Sequence, residues 1–174
     1  PVTARLMRNR GLTTVGEMQR YLYGSLSNLY DSHLLKDADK GAEIIKEKIE
    51  TGKKIRIISD YDVDGVSSNY ILYQGLKRCG ADVDYKIPDR VEDGYGINEH
   101  LIEKAAEDGI DTIITCDNGI AAAEQIAYGN SLGLTLIVTD HHDIPFQRQE
   151  DESISYNLPS AAAVINPKQK DCPY

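Results

Sequence analysis

One pattern occurs three times in this chain: a short, largely β-branched run that ends directly on a cluster of acids or imidazoles. Ile55-Arg56-Ile57-Ile58-Ser59 runs into Asp60-Tyr61-Asp62-Val63-Asp64-Gly65, Thr112-Ile113-Ile114-Thr115-Cys116 into Asp117-Asn118-Gly119, and Leu134-Thr135-Leu136-Ile137-Val138-Thr139 into Asp140-His141-His142-Asp143. Such runs read as buried strands. Laid parallel in one sheet, they would deliver all three clusters to the same carboxyl edge, where open α/β sheets hold ligands. Carboxylates at alternate positions raise one another's pKa unless cations neutralise them, so the first cluster asks for a metal. Asp-x-Asp-x-Asp-Gly also begins an EF-hand, but that loop needs a Glu at its twelfth position and follows a helix. Here the twelfth position is Ile71 and the cluster follows a strand.

From Lys53 onward strand and helix patterns alternate, which predicts an α/β fold: a Rossmann-like parallel sheet flanked by helices, spanning 53–174. The expected order is a strand from Lys54 to Ser59, a helix from about Val66 to Cys79, a strand from Asp82 to Ile87, and the polar loop from Asp89 to Gly96. A helix capped by Asn98, a strand from Asp111 to Cys116, a helix from about Ala121 to Asn130 and a strand from Leu134 to Thr139 follow, with Ala162 to Ile165 as a short last strand. Gln147 to Ser160 is polar and aperiodic and reads as a surface loop. Residues 1–52 read as an N-terminal helical preamble packing on the core. In it Thr14 and Glu17 form a capping box for a helix to about Tyr23, and a loop runs from Gly24 to Lys36. Asp37 or Asp39 then caps a helix with the apolar face Ala42, Ile45 and Ile49. The helix expected near Val66 would aim the N–H groups of Gly65, Val66 and Ser67 at an anion. Tyr70 and Tyr73, one turn apart, read as packing residues.

The 19 basic and 28 acidic residues give a formal charge of −9, which argues against a broad nucleic-acid surface. Several of those acids lie in the three clusters, and bound divalent ions would cancel part of the excess. Cys79, Cys116 and Cys172 are widely spaced, with no Cys-x-x-Cys pair, which supports neither a disulfide framework nor a zinc knuckle and fits a reducing cytoplasm. No apolar run reaches the roughly 18 residues of a membrane span. The non-Met start and the ending on Cys172-Pro173-Tyr174 suggest a piece of a longer protein.

Taken in order, Asp-Tyr-Asp-Val-Asp-Gly, Ile-Pro-Asp-Arg-x-x-Asp-Gly-Tyr-Gly, Asp-x-Gly, Asp-His-His, Asn-Pro-Lys and Asp-Cys-Pro-Tyr, the motifs closely resemble the N-terminal part of RecJ-type single-strand-specific exonucleases of the DHH phosphoesterase superfamily. That resemblance implies a two-metal phosphodiesterase, loaded with Mn2+ or Mg2+, that removes nucleotides from the 5′ end of single-stranded DNA in repair and recombination. It implies Asp60, Asp62, Asp117 and His141 as metal ligands, with Asp117 bridging the ions and Asp64 as a nearby ligand or partner. It implies Asp140 orienting His141, His142 contacting the scissile phosphate, and Arg90, Tyr95 and Ser67 contacting substrate, although Arg90 reads equally as an ion-pair partner of Glu92 or Asp93. Asn118 stands where such enzymes often have Cys, and Ser59 where they often have Gly. A further metal-binding Asp and a DHH-associated domain would lie beyond Tyr174, so the isolated chain would be weak or inactive. A haloacid-dehalogenase-type phosphatase also begins Asp-x-Asp after a strand but has no use for Asp-His-His. The alternatives kept are an oligonucleotide or cyclic-dinucleotide phosphodiesterase of the same superfamily, and a non-catalytic scaffold that retained the fold.

Overall fold

A computed structural model describes residues 2–149 and 151–174, which fall into two compact units, 1–31 and 32–174. The smaller contains α1 (Val2–Asn9) and α2 (Val15–Tyr23). Gly11, at φ +83°, ends α1 in the left-handed conformation that glycine adopts without strain. The expected capping box opens α2: Thr14 Oγ1 accepts from Glu17 N (3.2 Å), and Glu17 Oε2 accepts from Thr14 N (2.8 Å).

The larger unit runs α3 (Ala38–Glu50), β1 (Lys54–Ser59), α4 (Val63–Arg78), β2 (Asp82–Lys86), α5 (Glu99–Glu107), β3 (Thr112–Cys116), α6 (Ala123–Ser131), β4 (Thr135–Thr139), β5 (Phe146–Arg148), β6 (Ile154–Tyr156) and β7 (Ala163–Ile165). As the alternation predicted, one sheet is wholly parallel, in the order β2-β1-β3-β4-β7. Each central strand is buried on both faces, so its apolar residues divide by parity. Ile58, Ile113, Leu136 and Val138 meet Leu101, Ile102 and Ile126 of α5 and α6. Ile55, Ile57, Ile114 and Ile137 meet Leu76 of α4 and Ile45 and Ile49 of α3. This two-sided burial is why the strands read as continuous apolar runs. α3 thus belongs to the larger unit and covers β7 and β1. Asp37 sits at its N-cap position but caps nothing with its side chain, which instead accepts from Val164 N on β7 (3.1 Å).

Two expectations are corrected. The helix after β1 begins at Val63, three residues early, because Asp62 is its N-cap: Asp62 Oδ1 accepts from Asp64 N (2.9 Å) and Gly65 N (3.0 Å). Within 147–160, where a loop was expected, β5 and β6 pair antiparallel with Phe146 opposite Tyr156, their rings edge to face at 6.2 Å. Three-residue strands with exposed side chains are too short to show a period. Glu150, inside that expected loop, lies outside the described residues.

At the start of the sheet the acids are matched by cations. Arg56 makes paired bonds to Asp84 (2.8 and 2.7 Å) and one to Asp108 (2.9 Å), Lys104 reaches Asp108 (2.9 Å), and Lys48 meets Asp111 (2.7 Å). Burial of Cys116 at the end of β3 pushes its thiol up to about 11 from 9.0. With the folded pKa raised, this group's contribution to stability is intact below pH 9.0 and fades as the pH climbs toward 11. A maleimide at pH 8 should therefore label exposed Cys79 readily and Cys116 only on unfolding. Equal rates in the native protein would contradict the burial.

Candidate metal centre

The sheet order reverses between β1 and β3, so a crevice opens between their carboxyl ends, where doubly wound sheets bind ligands. Asp60 leaves β1 and Asp117 leaves β3 on either side of it. Asp60 is 3% exposed, and its Oδ1 is buried with no hydrogen-bond partner among the described residues. A buried carboxylate oxygen without a donor is costly, and a cation satisfies it.

Asp60, Asp62 and Asp117 bring one carboxylate oxygen each to within 4.8 Å of one another, and Asp117, His141 and His142 do likewise. Asp117 is common to both sets. Burial, and then the charge of Asp62, raise the Asp117 pKa, while His141 works the other way through its Nε2, 2.8 Å from Asp117 Oδ1. The amides of Gly65 and Asp64 instead hold Asp62 low. Asp117 adopts φ +61°, a left-handed conformation that costs a non-glycine residue about 1–3 kcal/mol and collects at functional sites. An all-oxygen set beside an oxygen and imidazole set suits hard divalent ions such as Mg2+ and Mn2+, imidazole favouring the latter.

Asp140 differs from the carboxylates of these two sets in having no free oxygen. Its Oδ2 accepts from Ile120 N (2.9 Å), and its Oδ1 accepts from the amides of His141 (2.7 Å) and His142 (3.0 Å) and lies 2.7 Å from His142 Nδ1. It therefore orients the ring of His142, not that of His141 as the resemblance implied, and this bond raises the His142 pKa. Asn166, fully buried, holds the same turn by donating to His142 O (3.0 Å).

The loop after β2 brings Arg90 and Tyr95 to the crevice. Asp89 Oδ1 accepts from Val91 N and Glu92 N, and Asp93 Oδ2 from Asp89 N, so these acids bind the loop to itself. Arg90 makes no ion pair among the described residues and stacks 5.5 Å over the Tyr61 ring. Tyr61 meets Tyr95 edge to face at 6.4 Å, and Tyr95 meets His142 at 6.3 Å, a continuous arc from guanidinium to imidazole. The Tyr95 hydroxyl donates to Asp117 O (3.4 Å); burial and the nearby carboxylates push it up to about 12, so it remains a donor at neutral pH.

Asp64 and Ser67 stand apart from both donor sets. They line a cavity of about 480 Å³ beside the centre with Ser68, Asp117 and His141. The anion-binding helix start does not form, since Gly65 N–H bonds Asp62 Oδ1 and Val66 N–H bonds Asp62 O (2.9 Å). Sequence reasoning assigned no role to Asn118, Asn69 or Asn166, all buried. Asn69 Nδ2 donates to Ser59 Oγ (2.9 Å) and ties α4 to the end of β1. An Asn in a turn motif carries no signal of burial; only the neighbouring strands reveal it.

A family model described as "DHH family, N-terminal domain" matches residues 54–173. The chain is 36% identical over its whole length to the single-stranded-DNA-specific exonuclease RecJ of Bacillus subtilis (strain 168), of which it covers 21%. Over 99% of its length it is 33% identical to the enzyme of the same name from Escherichia coli (strain K12), of which it covers 28%. It therefore spans between about a fifth and somewhat over a quarter of these relatives. A crystal structure of exonuclease RecJ bound to manganese superposes with a TM-score of 0.66 at 34% identity, covering 76% of this chain and 31% of that one.

Proposed function

Because the chain belongs to the DHH family, we propose that it is the metal-binding part of a phosphodiesterase that digests single-stranded DNA from the 5′ end. One observation carries this reading: Asp60 Oδ1 is buried with no hydrogen-bond partner among the described residues, and a carboxylate oxygen of Asp60 lies within 4.8 Å of oxygens of Asp62 and Asp117. Asp60, Asp62, Asp117 and His141 would hold two Mn2+ or Mg2+ ions. Such ions lower the pKa of water and neutralise charge on a phosphoryl group.

The remaining roles fall to side chains already in place. Arg90, stacked on Tyr61 and without an acidic partner among the described residues, offers its donors to a phosphate. His142, fixed through Nδ1 by Asp140, presents Nε2 to a phosphoryl oxygen. Tyr95 offers a ring face to the terminal base and keeps its hydroxyl proton. Ser67 and Asp64 border the path that the strand takes to the centre. The parent protein would add a further ligand and a DHH-associated domain closing the cleft. A reducing, cytoplasmic compartment belongs to the same reading: all three cysteines are unpaired. No helix among the described residues is long and apolar enough to cross a membrane.

The test is calorimetric titration with Mn2+ of the full-length parent, followed by digestion of 5′-phosphorylated single-stranded DNA. Saturable binding and Mn2+-dependent release of nucleotides are expected. A parent that binds no Mn2+ would be the non-catalytic scaffold, and the proposal would fall.

A further inference from the structure

Asn118 follows the shared carboxylate directly and is 1% exposed. Both hydrogens of its amide and its amide oxygen are bonded. Nδ2 donates to Ile58 O at the end of β1 (3.0 Å) and to Cys116 O at the end of β3 (3.0 Å), and Oδ1 accepts from Ile97 N (3.2 Å). Two carbonyls on one side and an N–H on the other fix which way the amide faces. The Asn118 carbonyl in turn accepts from Thr115 Oγ1 (2.8 Å). The bond to Cys116 O spans Asp117, so the residue with the left-handed backbone is bridged by its own neighbour. Ile97 ends the loop that carries Arg90 and Tyr95, and Gly96 (φ +69°) lies so close that an added Cβ would come within 3.3 Å of Asn118 Cβ.

We propose that Asn118 is a positioning residue that locks Asp117 and the Arg90–Tyr95 loop to the ends of β1 and β3, so that metal ligands and substrate contacts keep one fixed relation. This rests on the phosphodiesterase reading above. No other side chain among the described residues bonds to β1, β3 and this loop together. A purely structural Asn118 would matter for stability alone; a positioning one also sets turnover.

The experiment uses the full-length protein with two separate variants, Asn118→Ala and Gly96→Ala. The second presses on Asn118 from the loop side while removing none of its bonding atoms, so it remains informative if the first fails to fold. In both, the Ile97 amide should exchange its hydrogen about tenfold faster or more, while amides in the middle of β1 and β3 keep their parent rates. At saturating Mn2+, kcat/KM on single-stranded DNA should fall about 100-fold. Only Asn118→Ala should also weaken Mn2+ binding, because only it releases Asp117. Parent-like kcat and KM in both variants, with lowered melting temperature alone, would overturn the inference, as would unchanged exchange at Ile97. If the parent itself digests no DNA, the functional reading fails separately and the exchange measurement alone decides the role of Asn118.

Discussion

Replacing Asp117 by Asn in the full-length parent should reduce Mn2+-dependent digestion of single-stranded DNA by at least about 1,000-fold. The magnitude follows from losing a carboxylate common to both donor sets: metal-borne charge stabilisation contributes several kcal/mol to such reactions, and each 1.36 kcal/mol is a factor of ten in rate. Asn is the informative substitution because it tolerates the left-handed backbone at this position, which Ala does not. It also removes one of three negative charges crowded within 4.8 Å. The metal-free variant should therefore melt no lower than the parent. Activity within a few-fold of the parent would remove Asp117 from the centre, and a melting temperature many degrees lower would make it a residue of the fold.

The second large effect is on stability. A Cβ at Gly65 would lie 2.3 Å from Asp60 O and 2.6 Å from Asp60 C, and both are backbone atoms at the end of β1. A flexible side chain could yield to it; a strand end cannot. Gly65→Ala should therefore cost about 3 kcal/mol, the upper part of the range for overpacking, read as a lowered urea midpoint of this chain. Because the clash pushes on the residue that carries the unpartnered Oδ1, Mn2+ affinity should fall too. An unchanged midpoint would mean that β1 and α4 meet less closely than the structure has them.

The central strands and the acidic clusters that gather at their ends were legible because buried parallel strands and their acidic endings are both local in sequence. Ile113 and Ile114 face opposite layers, yet their run announces a strand whichever layer each joins. The start of α4 was not legible in the same way. Asp62 was read only as a ligand, while one of its oxygens is a helix cap, and that cap starts the helix three residues earlier. The β5–β6 pair escaped because three residues with one face in water give no periodicity. The way Asp140 is held by its second oxygen, and the burial of Asn118, depend on residues 20 or more positions away, such as Ile120 for the first and Ile97 for the second. No local pattern reports such bonds.

The two rims of the sheet solve opposite problems. At the starts of the strands Asp84, Asp108 and Asp111 are met by Arg56 and Lys48, whereas at their ends Asp60 keeps an oxygen with no donor among the described residues. Robustness and chemistry are thereby housed about one strand length apart, in different residues. Substitutions at the cationic rim can drift, altering how firmly the domain holds together, without touching the candidate metal-binding groups. A lineage with this architecture can adjust to a hotter or colder cell at one end of its sheet while the other end stays as it is.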